Sequence, residues 1–298
     1  MTGAEPGWEL YRTFLAVVRE GSLSGAARAL GLTQPTAGRH VDALERALGL
    51  ALFIRTQQGL SPTEAALSLR PFAESLEATS AALLRAASSH GQGVRGTVRV
   101  TASDVVAVEV LPPILADLHA TYPDLTIELA PSNRMEDLLR READIAVRML
   151  PPTQGVLIAR QIGGIELGLF AHRRYLDRRG RPATVEDLSG HTLIGYDKEN
   201  AFLRGLRGQL PWAQRNRFAL RTDSDLAAIA ALRAGFGVGF CQIGLARRNP
   251  DLVRLFGDEV SLMLDTWVAM HEDLRDSPHC RAVFNALAAG LARYIDGD

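Results

Sequence analysis

The sequence predicts an α/β protein with a mainly helical N-terminal unit, one long helix, and a larger region folded in two lobes. Residues 8 to 48 show apolar residues at helical spacing, interrupted by single glycines. Residues 63 to 88 show a thin apolar seam in a polar helical pattern, and from residue 97 onward strand patterns alternate with helix patterns. The 298 residues are enough for two or three domains, each with its own core.

The composition is that of an ordinary folded protein, with 47% hydrophobic and 22% charged residues. The formal net charge of −1 excludes a polycation, so a surface for nucleic acid has to be local. No window approaches the roughly 18 uninterrupted apolar residues of a membrane span. The first residues, which include Glu5, Pro6 and Trp8, are not a secretory signal. We therefore expect a cytoplasmic protein that does not enter membranes.

Residues that could carry catalysis or bind a metal form no recognisable set. Cys241 and Cys280 match no metal or redox spacing, and we expect them to be buried, reduced thiols. The glycine-rich run at residues 235 to 239 leads from helix into strand, the reverse of a dinucleotide-binding loop. His271, His279 and Cys280 are too close in sequence to hold one ion together. We expect no enzyme activity, no cofactor and no metal.

Three helices are predicted between residues 8 and 48. Gly21 ends the first helix, Ser24 is a candidate cap for a short second helix rich in small residues, and Gly31 makes the next turn. Thr33 can cap the third helix, with a proline in its first turn.

The third helix has an apolar back and a basic front. Ala37, Val41 and Leu44 follow the spacing of a buried stripe. Arg39 and Arg46 project from the opposite side.

A hairpin and a long helix follow. The run "LALFIRTQQGLSPT", residues 50 to 63, reads as a strand, a polar turn and a return strand. The helix that begins near Thr63 carries a seam too thin for a globular core, so we expect it to pair with another chain. Pro71 should kink that helix. The seam consists of Leu69, Phe72, Leu76 and Leu83. Residues 88 to 96, rich in glycine and polar residues, read as a hinge.

Strand and helix patterns then alternate in two similar sets. Helices of this length between strands imply βαβ units and a mainly parallel sheet, with a cleft between the two lobes. The predicted strands are residues 97–102, 125–130, 143–149, 165–171, 191–196, 217–222, 237–242 and 265–271, and the predicted helices are those leading to residue 123, residues 135–142, residues 224–235, and a closing helix with Phe284, Leu287, Leu291 and Ile295 on one side.

Several strings resemble the LysR-type transcriptional regulators of bacteria over nearly the whole chain. They are "FLAVVREGSLSGAARAL" at residues 14–30, "TQPT" at 33–36 followed by Arg39, "ALERALGLALFIRT" at 43–56, "LPPILADLHATYPDLTIEL" at 111–129, "ADIAVR" at 143–148 and "RAGFGVGF" at 233–240. Two departures stand out: Gly38, where serine is common in the family, and Gln242, where proline is common.

The resemblance implies a winged helix-turn-helix, a dimerising linker helix, and an effector region of two lobes related in fold to periplasmic-binding proteins. It also implies homo-oligomers, dimers or tetramers, that bind double-stranded promoter DNA and respond to a small-molecule effector, with RNA polymerase as a further candidate partner. The expected bounds are 1–61 for the winged domain, 62–90 for the linker helix and 94–298 for the effector region, in which lobe I comprises 94–163 and 268–298 and lobe II comprises 164–267.

The third helix carries side chains suited to the major groove. Gln34 can address adenine, Thr36 a thymine methyl, and Arg39 guanine or a phosphate. Thr33 and the N–H groups of the first turn suit a phosphate oxygen. His40 either reaches DNA or packs beside the linker. The full set of candidate DNA-contacting residues is Ser24, Thr33, Gln34, Pro35, Thr36, Arg39, His40, Arg55 and Thr56.

Two strand-to-helix junctions, "TASD" at residues 101–104 and "TDSD" at 222–225, carry hydroxyls and backbone N–H groups that attract polar ligands. The resemblance places both at the edges of the cleft between the lobes, with Ser132 and Arg148 nearby. Ordinary helix capping is the alternative for the Thr and Ser residues, and an ion pair is the alternative for Arg148. The candidate effector-binding residues are Thr101, Ser103, Asp104, Ser132, Arg148, Thr222 and Asp223. The aspartates leave zwitterions and hydroxylated molecules open as ligands.

Two other classes of function compete with an effector-controlled regulator. The lobes alone would suit a solute receptor, but the helix-turn-helix argues against it. An architectural DNA protein would bind DNA and ignore metabolites. Effector-sensitive binding to a defined promoter separates the three.

Overall fold

The computed structural model describes residues 5–57, 59–88, 93–133, 142–151, 157–199, 204–205, 208 and 210–297. These residues divide into an N-terminal unit that ends at Ala87 and a C-terminal unit that begins at Ser88. Within the described part of the chain, no helix is both long and apolar enough to cross a membrane.

The described part of the N-terminal unit contains four helices and a two-stranded hairpin. They are α1 Trp8–Glu20, α2 Leu23–Leu30, α3 Gln34–Leu48, β1 Phe53–Thr56, β2 Gly59–Pro62 and α4 Glu64–Ser88. Gly21 and Gly31 end α1 and α2 with the positive φ angles that favour glycine, 66° and 68°, as predicted. Thr33 caps α3 by accepting a hydrogen bond from the backbone N–H of Thr36.

The predicted cap of α2 was wrong. Ser22, with an extended backbone, accepts a hydrogen bond from the Gly25 N–H at 3.1 Å and therefore caps the helix. Ser24 already lies in the first helical turn, where a side chain cannot reach forward to that orphan N–H group.

The three helices and the hairpin pack through two apolar clusters, and α2 contributes to the second, around Val17 and Ala26. Phe14, Leu15, Leu44 and Leu52 are almost completely buried in the first cluster. The side chain of Glu45 fixes the entry to the hairpin, because its Oε1 accepts hydrogen bonds from the backbone N–H of Leu52 at 2.6 Å and of Phe53 at 3.2 Å. The predicted hairpin is confirmed, with β1 and β2 antiparallel.

Helix α4 begins where the Thr63 hydroxyl accepts from the Ala66 N–H, and it spans the predicted length with Pro71 inside it. The predicted seam divides into two parts. Leu69 packs against the core of the unit, whereas Phe72 and Leu83 keep 72% and 68% of their surface exposed. This exposed apolar row agrees with a helix that needs a partner surface.

The C-terminal unit contains one mixed sheet flanked by helices. Its elements are β3 Gly96–Ala102, α5 Leu111–Thr121, β4 Leu125–Pro131, β5 Ile145–Arg148, β6 Leu157–His172, α6 Arg173–Arg179, β7 Leu193–Gly195, β8 Phe218–Arg221, α7 Asp225–Arg233, β9 Val238–Gln242, α8 Ile243–Ala246, β10 Leu252–Leu255, β11 Ser261–His271 and α9 Pro278–Asp296. One turn of π-helix, Val106–Val110, precedes α5. Residues 135–141 of the predicted helix and residues 89–92 of the predicted hinge lie outside the described residues.

The prediction of a mainly parallel sheet was wrong. The strand order is β4-β3-β5-β11-β6-β9-β7-β8, with β10 paired to β6. Pairs within each lobe are parallel, but β6 and β11 run antiparallel to their neighbours. The reason is that these two long strands carry the chain from one lobe to the other and back.

Each lobe has its own core, and the two long strands join them. Lobe I packs α5 and α9 on its strands, and Phe284, Leu287 and Leu291 are buried on the predicted face of α9. In the β6–β11 pair the register shifts between Thr266 and Trp267, opposite Gly163, whose φ is 154°. The predicted lobe boundaries lie beside this irregularity and stay a prediction.

Candidate functional site

The N-terminal end of α3 presents an ordered polar row. The Thr33 and Thr36 hydroxyl oxygens are 2.8 Å apart, and Arg39 Nη2 donates to the Thr36 hydroxyl at 3.3 Å. Gln34 and Pro35 are exposed beside them. Positions 33, 36 and 39 follow helical spacing, so their side chains share one face. The row therefore offers hydroxyl groups and one guanidinium to a partner in solution.

His40 follows Thr36 by one helical turn, and its side chain contacts α1. Its Nδ1 is 2.8 Å from the hydroxyl oxygen of the buried Thr13, and that hydroxyl donates to the Glu9 carbonyl. Because a hydroxyl has one proton, His40 Nδ1–H is the donor to Thr13. This geometry favours a packing role for His40, although against α1 rather than against the linker helix.

The remaining candidates for DNA contact stand on other elements of the same unit. Ser24 is exposed on α2, and Arg55 and Thr56 are exposed at the end of β1. The Thr56 hydroxyl donates to the Gly59 carbonyl at 3.3 Å and so closes the hairpin turn.

A cavity of about 1210 Å³ lies between the two lobes of the C-terminal unit. Five of the seven predicted effector-binding residues line it, and these are Ser103, Ser132, Arg148, Thr222 and Asp223. Thr101 and Asp104 lie outside its wall.

Thr101 supports Arg148 from behind. It is 1% exposed, and its hydroxyl accepts a hydrogen bond from Arg148 Nη2 at 3.1 Å. Arg148 Nη1 donates to the carbonyl of Val147 at 3.0 Å. These two bonds hold the planar guanidinium in a fixed orientation on the cavity wall, where it suits an anionic or hydrogen-bond-accepting group.

Asp104 forms hydrogen bonds with Asn133, a cavity residue that was not among the candidates predicted from the sequence. The Asp104 N–H donates to Asn133 Oδ1 at 3.1 Å, and Asn133 Nδ2 donates to Asp104 Oδ2 at 3.3 Å. Asn133 also hydrogen-bonds the carboxylate of Asp225 in lobe II. Asn133 thus connects the lobes at the cavity, and the turn after a strand end was the signal that could have found it.

At the second junction the polar groups hold their own loop. Asp223 Oδ1 accepts from the N–H groups of Asp197 at 3.2 Å and Lys198 at 2.8 Å. The Thr222 hydroxyl accepts from the Ser224 N–H, and Ser224 caps α7. The capping alternative therefore describes part of what these residues do, while the Thr222 hydroxyl still has a proton to donate.

Tyr196 and Asp225 are two further cavity residues that sequence analysis missed. The Tyr196 hydroxyl donates to Asp225 Oδ1 at 3.1 Å. Burial raises the pKa of both groups, and the charge of Asp104 raises the pKa of Asp225 further. The cavity therefore has Arg148 on the lobe I wall and a carboxyl group with a raised proton affinity on the lobe II wall.

Two family models cover both units. "Bacterial regulatory helix-turn-helix protein, lysR family" matches residues 8–67, and "LysR substrate binding domain" matches residues 91–292. The chain belongs to the LysR family. The LysR match to the N-terminal unit contains the polar row of α3, and the match to the C-terminal unit contains the described cavity residues.

Curated LysR relatives are transcription regulators. An HTH-type transcriptional regulator of Xanthomonas campestris is 32% identical over 62% of this chain and 54% of its own length, so the match spans about half of that relative. An HTH-type transcriptional repressor of Pseudomonas aeruginosa is 30% identical over 76% of this chain and 73% of its own length. The Mau operon transcriptional activator of Paracoccus denitrificans is 27% identical over 98% of this chain and 99% of its own length.

Solved LysR structures share the fold. CbnR, solved in complex with its target DNA, has a TM-score of 0.69 at 21% identity and covers 95% of this chain and 99% of its own. CrgA of Neisseria meningitidis has a TM-score of 0.59 at 22% identity, and the match covers 96% of this chain and 99% of CrgA.

Proposed function

We propose that this LysR family chain is a cytoplasmic, sequence-specific transcription regulator that binds promoter DNA and responds to a small molecule in the cavity between its lobes. The observation that carries the proposal is the ordered row Thr33, Thr36 and Arg39 on the exposed face of α3. A helix that presents hydroxyls and a guanidinium from its first turns has the size and chemistry to read a major groove.

The contacts of α3 divide by chemistry. Arg39 addresses guanine or a phosphate, and Gln34 addresses adenine with its amide. Thr33 and the first-turn N–H groups hold a phosphate oxygen. Arg55 and Thr56 on the hairpin reach the neighbouring backbone or minor groove. CbnR was solved with its target DNA, which supports the same use of the shared fold.

The winged helix-turn-helix segment of one copy is only weakly basic. Residues 1 to 60 carry six arginines and five carboxylates. Electrostatic binding grows with the number of phosphates neutralised, so one copy binds weakly and two copies on a partly palindromic site bind well. The exposed row of α4, with Phe72 and Leu83, is the surface for pairing with a second copy. The promoter-bound oligomer then addresses RNA polymerase.

The cavity supplies the control. A ligand that touches Arg148 and Ser103 from lobe I and Thr222 from lobe II changes the relative stability of open and closed lobes, and this difference is what shifts DNA binding. The paired walls and the mixed charges support a small polar or amphipathic effector. The curated relatives include both an activator and a repressor.

The DNA proposal is tested by titrating the full chain against its own upstream DNA and against scrambled DNA of equal length at moderate salt. Arg39→Ala should lower the affinity for upstream DNA roughly ten-fold or more, since a bidentate base contact contributes about 1–3 kcal/mol. Arg281→Ala, which removes an exposed arginine from α9, is the control for charge and should change little. Equal affinity of the unmodified chain for both DNAs would contradict the proposal.

The effector proposal is tested by a metabolite screen that measures the melting temperature of the protein. A hit should shift the DNA affinity of the unmodified chain, and Thr222→Val should weaken that shift while leaving DNA affinity without ligand unchanged. An unaltered response in Thr222→Val would remove this junction from the effector site.

A further inference from the structure

The two walls of the cavity differ in how far they reach into a core. Several buried residues of the lobe II core, among them Leu169, Leu193 and Leu262, also line the cavity. Among the described residues, no buried member of the lobe I core lines the cavity. Lobe I contributes polar side chains, including Ser103 and Arg148, together with the apolar residues Val105, Met149 and Leu150. The cavity therefore reaches the main core of lobe II but not that of lobe I.

The part of the cavity inside lobe II is lined by Leu169, Leu193, Leu210, Trp212, Phe240 and Leu262, and we call it the lobe II chamber. Trp212 and Phe240 stack with ring centroids 6.1 Å apart and planes 18° from parallel. Both rings are half-buried although they lie among core residues. A pair of nearly parallel aromatic rings in a concave apolar wall offers a flat surface on which another ring can stack.

The volume supports the same interpretation. At about 1210 Å³ the cavity exceeds the roughly 300–1,000 Å³ of typical small-molecule sites. A small hydrophilic metabolite held by Arg148 and Thr222 would leave the chamber walls without contacts. Its binding would then lack the free energy that apolar burial and dispersion contacts with these walls contribute.

We propose that the lobe II chamber binds the planar aromatic ring system of an amphipathic small molecule, whose polar head lies toward Ser103 and Arg148. The proposal rests on the proposed function, because it names the chemical class of that effector. Trp212 and Phe240 determine specificity by stacking, and the aliphatic side chains around them exclude water. The fixed guanidinium of Arg148 orients the head group.

The test is calorimetric titration of the full chain with four probe acids: 2-naphthoate, benzoate, octanoate and glutarate. Affinity should follow ring size, with 2-naphthoate roughly ten-fold tighter than benzoate because a second ring buries on the order of 60 Å² more apolar surface. Octanoate, which is apolar but not planar, should bind more weakly than 2-naphthoate, and glutarate should show no binding.

Variants locate the binding. Trp212→Ala should weaken 2-naphthoate roughly ten-fold, and Trp212→Phe should restore most of the affinity because a ring remains. Phe240→Leu, which keeps the apolar volume, serves as a second probe should Trp212→Ala unfold. Phe236→Ala is the matched control, since Phe236 is an aromatic residue of lobe II that is 42% exposed and does not line the cavity.

The outcomes separate the two proposals. Octanoate binding as tightly as 2-naphthoate, or unchanged 2-naphthoate affinity in both Trp212→Ala and Phe240→Leu, overturns the aromatic chamber even where a metabolite still alters DNA binding. Ring-dependent binding that Trp212→Ala weakens supports the chamber. If that binding leaves the affinity for upstream DNA unchanged, the chamber stands and the proposed regulation is contradicted.

Discussion

Glu109 and Arg233 form a two-pronged ion pair that joins the two lobes. Arg233 Nη1 lies 2.6 Å from Glu109 Oε1, and Nη2 lies 3.1 Å from Oε2. Glu109 belongs to the π-helical turn of lobe I and Arg233 to the last turn of α7 in lobe II. Arg248 adds to the junction by donating to the Glu109 carbonyl at 2.6 Å and by covering the ring of Tyr294. This contact is part of what a change in lobe orientation has to break.

Glu109→Gln should lower the free energy of unfolding of the C-terminal unit by about 1 kcal/mol at pH 7, because both side chains are partly exposed and solvent screens the pair. The hydrogen bond from Arg233 lowers the pKa of Glu109. A lowered pKa means that the stabilisation is present at neutral pH and is lost as pH falls below about 4.5, through the pKa of the folded state. Denaturant unfolding of both proteins between neutral and acid pH measures this.

A variant of a second, exposed carboxylate provides the control for this pair. Asp117→Asn, which removes an exposed carboxylate from α5, should leave the acid limb of the stability curve unchanged. Parallel curves for the unmodified chain and Glu109→Gln would show that the ion pair does not stabilise the folded state.

Tyr294→Phe should cost about 1–2 kcal/mol of stability. The Tyr294 hydroxyl donates to Gln242 Oε1 at 2.7 Å, and both side chains are buried, so the variant leaves a buried acceptor without its donor. Tyr122→Phe, at the half-buried end of α5, is the matched control and should cost less. Chemical denaturation compares the two, and equal losses would assign no special role to the Gln242 contact.

Gly38→Ala should stabilise α3 by up to about 1 kcal/mol, because alanine is the better helix former. An added Cβ would meet Leu23 Cδ1 at 3.7 Å, an ordinary contact. Gly31→Ala is the contrasting variant. Gly31 has a φ of 68°, which alanine resists, so this substitution should destabilise the unit. Hydrogen exchange across residues 8–48 reports both changes, and a loss of protection in Gly38→Ala would mean that the glycine is needed for the fold.

His40→Ala should separate packing from DNA contact. Loss of the hydrogen bond to Thr13 should lower stability by about 1 kcal/mol, whereas affinity for upstream DNA should fall less than about three-fold. Arg39→Ala, which removes an exposed side chain, should leave stability nearly unchanged and lower the affinity for upstream DNA roughly ten-fold or more. Melting temperature and DNA titration on the same samples make the comparison. An affinity loss for His40→Ala as large as that for Arg39→Ala would return His40 to the DNA-contacting set.

The thiol of Cys241 should react slowly with iodoacetamide. Burial raises the pKa of Cys241 to about 12, so the reactive thiolate is roughly a thousand-fold scarcer at pH 8 than for a free cysteine. Mass spectrometry of alkylated peptides follows the rate, with urea-unfolded protein as the reference. Labelling of the folded protein at the unfolded rate would contradict the burial of this residue.

The ends of α1 and α2, the cap of α3, and the hairpin could be predicted because neighbouring residues decide them. Gly21 and Gly31 supply backbone angles that other residues resist, and Thr33 satisfies an N–H group three residues away. The predicted cap of α2 was wrong, although neighbouring residues decide it as well. Ser22 and Ser24 offer the same hydroxyl two positions apart, and only the backbone angles distinguish them.

The cavity could be predicted in part. Strand-end motifs led to Ser103 and Thr222 because such ends meet at one edge of a sheet, and the family resemblance led to Arg148. The chamber side chains Trp212 and Phe240 come from separate segments with no polar motif, so their apolar character reads only as core.

The sequence by itself determined most of the helices and strands and the exposed basic face of α3, because these depend on contacts between residues close along the chain. The LysR family followed from the resemblance of its motifs. Only the tertiary structure decided the mixed sheet, the stacking of Trp212 on Phe240 and the pairing of Glu109 with Arg233, 124 positions apart. Such contacts depend on how β6 and β11 carry the chain between the lobes, and local periodicity contains no information about that path.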